Sequence, residues 1–157
     1  MKNTIITKLS LLIVIVMMFT LASCDIWSGA SITTTTTGGD QEQQLPAIWE
    51  NATYTENTEL GNGAKTFTFE VEADGYSVTF TIHTDADTVG DALIAHGLIA
   101  GDDSQYGLYV KTVNGMLSDW DVDQTYWAFY INGGYGMSGV DTTPIAEGEV
   151  YSFVRSK

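Results

Sequence analysis

The chain has 157 residues, with 20 acidic residues against six basic ones and a formal charge of −14. Such an acidic balance excludes the cationic footprint that nucleic-acid binding needs and the polybasic patch needed for adhesion to anionic lipid. The single cysteine, Cys24, allows no disulfide, so any fold rests on its apolar core.

Lys2 and Lys8 precede an almost unbroken apolar run from Leu9 to Leu21, and small Ala22 and Ser23 stand just before Cys24. This is signal-peptide grammar, and the run is too short for a spanning helix, which needs about 20 apolar residues. Leu21-Ala22-Ser23-Cys24 resembles a bacterial lipoprotein signal, in which the cysteine thiol is diacylated and becomes the new N-terminus. Two acyl chains anchor stably where one does not. The expectation is therefore a signal peptide over 1–23, lipidation at Cys24 and an extracytoplasmic domain anchored to the bacterial cell membrane. Removing residues 1–23 takes two basic residues and no acidic one, so the formal charge moves from −14 to −16. That charge suits a calcium site, a cationic partner or simply a solvated surface.

Residues 24–65 read as a tether. Thr33 to Thr37, Gly38-Gly39 and Gln41-Glu42-Gln43-Gln44 offer nothing to bury, so ordering them would not be offset by an apolar core. As a flexible coil, the 22 or so residues to Pro46 would span roughly 25 Å. Within 47–65, Ile48, Trp49 and Tyr54 are apolar enough to dock on the domain, whereas Asn62-Gly63 marks a turn or loop.

The folded part is expected over 66–157. Phe67, Phe69 and Val71 alternate with Thr68, Glu70 and Glu72, then Asp74-Gly75 turns the chain and Tyr76, Val78, Phe80 and Ile82 alternate with polar residues. Period two on both sides of a turn predicts an antiparallel hairpin with one wet face. Val89, Ala92, Leu93 and His96 fall at helical spacing, with Asp87 or Thr88 as N-cap, His96 at the end and Gly97 as terminator. Three further strands are predicted at 108–113, 126–132 and 150–154, separated by turns at Asn114-Gly115, Asn132-Gly133-Gly134 and Pro144 to Gly148. A hairpin feeding a short helix that packs on one face of a mixed sheet predicts an α+β, β-grasp-like architecture.

Four segments carry a family resemblance: Thr88 to Leu93, Tyr109 to Gly115, Tyr126-Trp127-Ala128-Phe129-Tyr130-Ile131-Asn132-Gly133, and Ile145 to Phe153 with Gly148-Glu149. Together they resemble a bacterial family of unknown function that is similar to the C-terminal domain of transcobalamin and intrinsic factor. The resemblance spans 66–157. It implies a β-grasp-like fold and, by analogy with animal relatives in which this domain forms one half of a cobalamin site, a corrinoid as ligand. The other half there is a large helical barrel, for which 157 residues leave no room, so one lobe is expected here.

Alternation divides the strand at 126–132 into Trp127, Phe129 and Ile131 on one face and Tyr126, Ala128 and Tyr130 on the other. One set is core. The two tyrosines, with Trp120, Tyr135 and Met137 on adjacent turns, form a candidate ligand-binding group for a flat, largely apolar ligand such as a corrin ring. The same side chains would serve a protein partner or pair across the sheet.

Asp119, Asp121 and Asp123 alternate like the opening of a calcium loop, but Gln124 and Tyr130 stand where an EF-hand requires glycine and glutamate, so a solvated turn is expected. His83 and His96 are far apart and lack soft co-ligands, which argues against zinc. No serine sits in a nucleophile elbow, and Cys24 is consumed by the anchor. The pairs Asp85/Asp87 and Asp102/Asp103 are expected in turns without an apolar wall to split their pKa values. There is no phosphate loop. The sequence predicts no enzyme and no cofactor apart from a corrinoid ligand. Three functions stay open: a lipoprotein that hands a corrinoid or similar small ligand to a transporter or other surface protein, an extracellular protein-interaction module, and a calcium-stabilised structural domain.

Overall fold

A computed structural model of the chain describes residues 44–157. The expected signal peptide, Cys24 and the low-complexity part of the tether lie outside the described residues. No helix among the described residues is long and apolar enough to cross a membrane.

The predicted hairpin forms from β2 (Lys65–Ala73) and β3 (Tyr76–Thr84), paired antiparallel with Val71 opposite Val78 and Phe69 opposite Phe80. Its turn, Asp74-Gly75, has φ of 52° and 81°, the left-handed pair that matches the twist of a two-residue hairpin. Phe67, Phe69, Val71, Val78, Phe80 and Ile82 are all buried, as the alternation requires. The last strand, here β9 (Val150–Ser156), lies parallel to β2 and antiparallel to β7 (Tyr126–Ile131). Adding the parallel edge strand β1 (Thr58–Gly61) and the two-residue β8 (Gly134–Tyr135) gives a mixed sheet of order β1-β3-β2-β9-β7-β8. A hairpin followed by a helix, with β2 and the last strand β9 as a central parallel pair, is the α+β arrangement expected.

Helix α1 (Val89–Ala95) is capped at both ends. Thr88 Oγ1 accepts from the Asp91 N–H at 3.1 Å, which selects Thr88 over Asp87 as N-cap. At the other end Gly97, at φ +66°, donates to the Ile94 carbonyl and Leu98 donates to that of Leu93, the paired bonds of a Schellman motif. His96 is the C-cap residue, but its backbone N–H makes the capping bond. Its ring instead covers Gly61 on β1, where a Cβ would come within 2.9 Å of Nε2.

Three features differ from expectation. The folded part begins before Thr66: Trp49 is 1 % exposed, donates from Nε1 to the Ala73 carbonyl at 2.9 Å and meets Tyr76 edge to face. Tyr54 meets Phe80 in the same way, and β1 is a strand of the main sheet. The strand at 108–113, here β5 (Gly107–Val113), belongs to a second sheet with β4 (Ile99–Ser104) and β6 (Met116–Leu117), inserted between α1 and β7. Asp102 and Asp103 therefore lie on a strand, not in a turn. Strand β4 escaped the periodicity because only Ile99 is buried along it, leaving no alternation to read. A second helix of one turn, α2 (Trp120–Asp123), precedes β7.

Candidate functional site

An open cleft of about 240 Å³ lies where β5, β7 and the loop after β8 meet. Leu108, Tyr109 and Val110 form one wall, Tyr126, Trp127 and Phe129 another, and Tyr135, Gly136 and Ser138 to Val140 a third, with Phe153 from β9 behind. No charged side chain lines it. The lining residues Tyr109 and Tyr135 are 43 % and 61 % exposed. Trp127 is buried, and Phe129 stacks almost parallel to Tyr151 with centroids 6.3 Å apart. The Asn132-Gly133 turn, with φ of 50° and 78°, folds β8 back on β7 and delivers Tyr135 to the cleft.

The five expected ligand-binding residues divide. Tyr126 and Tyr135 line the cleft. Trp120 stands beside it, edge to face with Tyr126 at 6.2 Å, and Tyr130 pairs with Tyr135 at 5.5 Å. Met137 is 97 % exposed between the lining residues Gly136 and Ser138. The cleft is lined from both faces of β7, by Tyr126 on one and by core residue Trp127 and partly buried Phe129 on the other. Tyr109 and Phe153 were not singled out. Tyr109 stands next to buried Val110, but without knowledge of the second sheet nothing tells a lining residue from a solvated one.

Two buried polar atoms lack a hydrogen-bond partner among the described residues, Trp127 Nε1 and Asp141 Oδ1, and native structures leave few such atoms. Asp141 directly follows the cleft residues Gly139 and Val140, in the 3-10 turn Val140–Thr142. Three glycines make room for it. A Cβ on Gly139 would fall 2.5 Å from Oδ1, one on Gly107 2.7 Å from Oδ2, and one on Gly90 2.6 Å from the Asp141 Cα.

The cations around the cleft are committed elsewhere. Lys111 Nζ lies 2.9 Å from Asp102 and 3.6 Å from Asp119, and 5.9 Å from the Tyr109 ring centroid. The hydrogen bond to Asp102, with the charges of Asp102 and Asp119, raises its pKa. Arg155 pairs with Asp74 at 3.1 Å and Asp123 at 2.8 Å while donating to Ser118 Oγ. The Thr125 hydroxyl bonded to Asp123, seconded by the Thr125 N–H and Arg155, lowers the pKa of that carboxyl.

These contacts also account for the aspartate triplet. Asp119 caps α2 by accepting from the Asp121 N–H at 3.0 Å, and Asp123 is held by Thr125 and Arg155. Among the described residues no three His, Cys, Asp or Glu side chains are grouped so as to hold a metal ion. His83 is engaged by the Thr66 hydroxyl at 2.9 Å and Glu59 at 2.7 Å.

One solved structure agrees with this architecture. A crystal structure of a candidate metal-binding protein from Ruminococcus gnavus is similar at 28 % identity and a TM-score of 0.56, covering 59 % of this chain and 97 % of that one. Haptocorrin in complex with Cbi shows a fainter likeness, 17 % identity and a TM-score of 0.46 over 62 % of this chain and 26 % of its own, too slight to argue from. No curated protein matches. Over residues 86–152 the chain matches the family described as a domain of unknown function (DUF4430), the kind of resemblance its motifs carry.

Proposed function

We propose that this chain is an extracytoplasmic lipoprotein whose domain binds a small ligand in the aromatic cleft for delivery to a transporter or other surface protein. The observation that supports it most directly is the cleft: Tyr109, Tyr126, Trp127, Phe129, Tyr135 and Phe153 surround an open space free of charged side chains. Aromatic walls with a few polar groups are the usual form of a ligand pocket. A corrinoid is the ligand to test first, on the motif resemblance. At about 240 Å³, below the roughly 300 to 1,000 Å³ of a complete small-molecule site, the cleft takes the edge or a side group of such a macrocycle, with the rest left open to a partner. Micromolar affinity, near −8 kcal/mol, suits half a site. The reading includes no catalytic step.

Calorimetric titration with cobalamin and cobinamide tests the ligand. Saturable binding that weakens tenfold or more in Tyr126→Ala/Tyr135→Ala supports the reading, and absence of heat at hundreds of micromolar refutes a corrinoid. Anchoring is tested separately: Cys24→Ser should release the protein from membranes, and retention after carbonate washing would refute lipidation. A protein-interaction module is the second reading, favoured by Leu117, Trp120 and Val122, which are 58 %, 46 % and 82 % exposed around α2. Apolar side chains in such a run are what a partner surface would cover.

A further inference from the structure

We infer that the cleft selects an organic cation, a quaternary or tertiary ammonium group, as the part of the ligand it encloses. This rests on the ligand-binding reading of the cleft but not on a corrinoid as the ligand. Three observations converge on a positive charge. The walls are aromatic and carry no charged side chain, and the face of Tyr, Trp or Phe attracts a desolvated cation. Asp141, packed directly behind the lining residues Gly139 and Val140 and against Gly107 at the start of β5, has a buried oxygen without a partner. Among the described residues no ion pair reaches it: Lys65 pairs with Asp87, Lys111 with Asp102 and Asp119, and Arg155 with Asp74 and Asp123.

A carboxylate beside the lining residue Gly139, in an acidic protein, makes the cleft attractive to a cation. A compact ammonium head with methyl groups fits about 240 Å³ and keeps its charge while touching ring faces. A primary ammonium would lose more hydration on entering the same apolar space. Lys111, near the Tyr109 ring, does not oppose entry, because two carboxylates face its ammonium. Asp141 acts here through the electrostatic field behind the wall, while the rings make the contact.

The test compares choline with 3,3-dimethylbutan-1-ol, the neutral molecule with carbon in place of nitrogen, on the full-length chain by calorimetry. Choline should saturate with a dissociation constant of about 1 mM or tighter and bind about tenfold more tightly than the neutral alcohol. Tyr109→Leu/Tyr135→Leu, at exposed positions, should remove that preference while circular dichroism stays unchanged. Asp141→Asn should reduce it, and if that variant unfolds, the tyrosine pair alone decides the matter. Equal affinity for the two compounds, no saturation by choline, or a preference untouched by the tyrosine pair would overturn the inference. Cobinamide binding without choline binding would overturn it and leave the corrinoid reading standing, whereas choline binding without corrinoid binding would do the reverse.

Discussion

Tyr151 shows how one buried hydroxyl organises the approach to the last strand. Its ring is fully buried, and its hydroxyl donates its single proton to Glu149 Oε2 at 2.6 Å, with the Pro144 carbonyl 3.2 Å away, while accepting from the Ala146 N–H at 3.0 Å. Burial, with the hydrogen bond to Glu149, pushes its pKa up to about 12 from 10.0. A raised tyrosine pKa means that the folded state favours the neutral form. The stabilisation is therefore complete below about pH 10 and is lost as pH rises from 10 towards 12. Tyr151→Phe should lower stability at pH 7 by about 1–2 kcal/mol, since it strands the Ala146 N–H. The difference in denaturation midpoint between wild type and Tyr151→Phe should shrink between pH 9.5 and 11.5. A constant difference would show that the hydroxyl does not titrate with this sign.

Among elements, the turn joining β5 to β6 binds the N-terminal strap to the domain. Asn114 is buried at φ +51°, and its side chain accepts from the Tyr54 N–H at 3.0 Å and donates to the Tyr54 carbonyl at 2.8 Å, while its own carbonyl accepts from Thr53. Asparagine tolerates this left-handed conformation, which costs most residues roughly 1–2 kcal/mol. Asn114→Ala should thus cost about 2–4 kcal/mol in urea denaturation, from lost bonds and backbone strain together. Asn114→Gly, which keeps the conformation but not the bonds, should cost about 1 kcal/mol less. The turn was legible as Asn-Gly, but its second role was not, because nothing local in the sequence announces a partner 60 residues away.

At the scale of the whole molecule, the strap is part of the core. Trp49 fills space against Tyr76 and reaches Ala73, so Trp49→Ala should destabilise by about 3–5 kcal/mol, much of the stability of a small domain. A chain beginning at Thr66 should be unfolded by circular dichroism, and one beginning at Gln44 should be folded. If the shorter chain folds with unchanged stability, the strap is an ornament on a complete domain.

The sequence by itself determined the hairpin, helix α1 with its caps, the strands β7 and β9 and the left-handed turns, because period-two alternation, helical spacing and Asn-Gly or Asp-Gly pairs are local and the physics that selects them acts within a few residues. Of Trp127 and Phe129, one of which was expected in the core, Trp127 is buried and Phe129 packs half-buried against that core. Only the tertiary structure decided that Trp49 belongs to the core, that residues 99–117 make a second sheet and that Tyr109, Tyr126 and Tyr135 share a cleft. Each of those outcomes depends on contacts between segments distant in sequence, and β4, exposed along nearly its whole length, exists because β5 supplies its hydrogen bonds. Asp141 is the clearest case. Gly107 and Gly139 leave room for its carboxyl and Gly90 for its backbone, and no reading of residues in order brings Gly90 and Gly107 to Asp141.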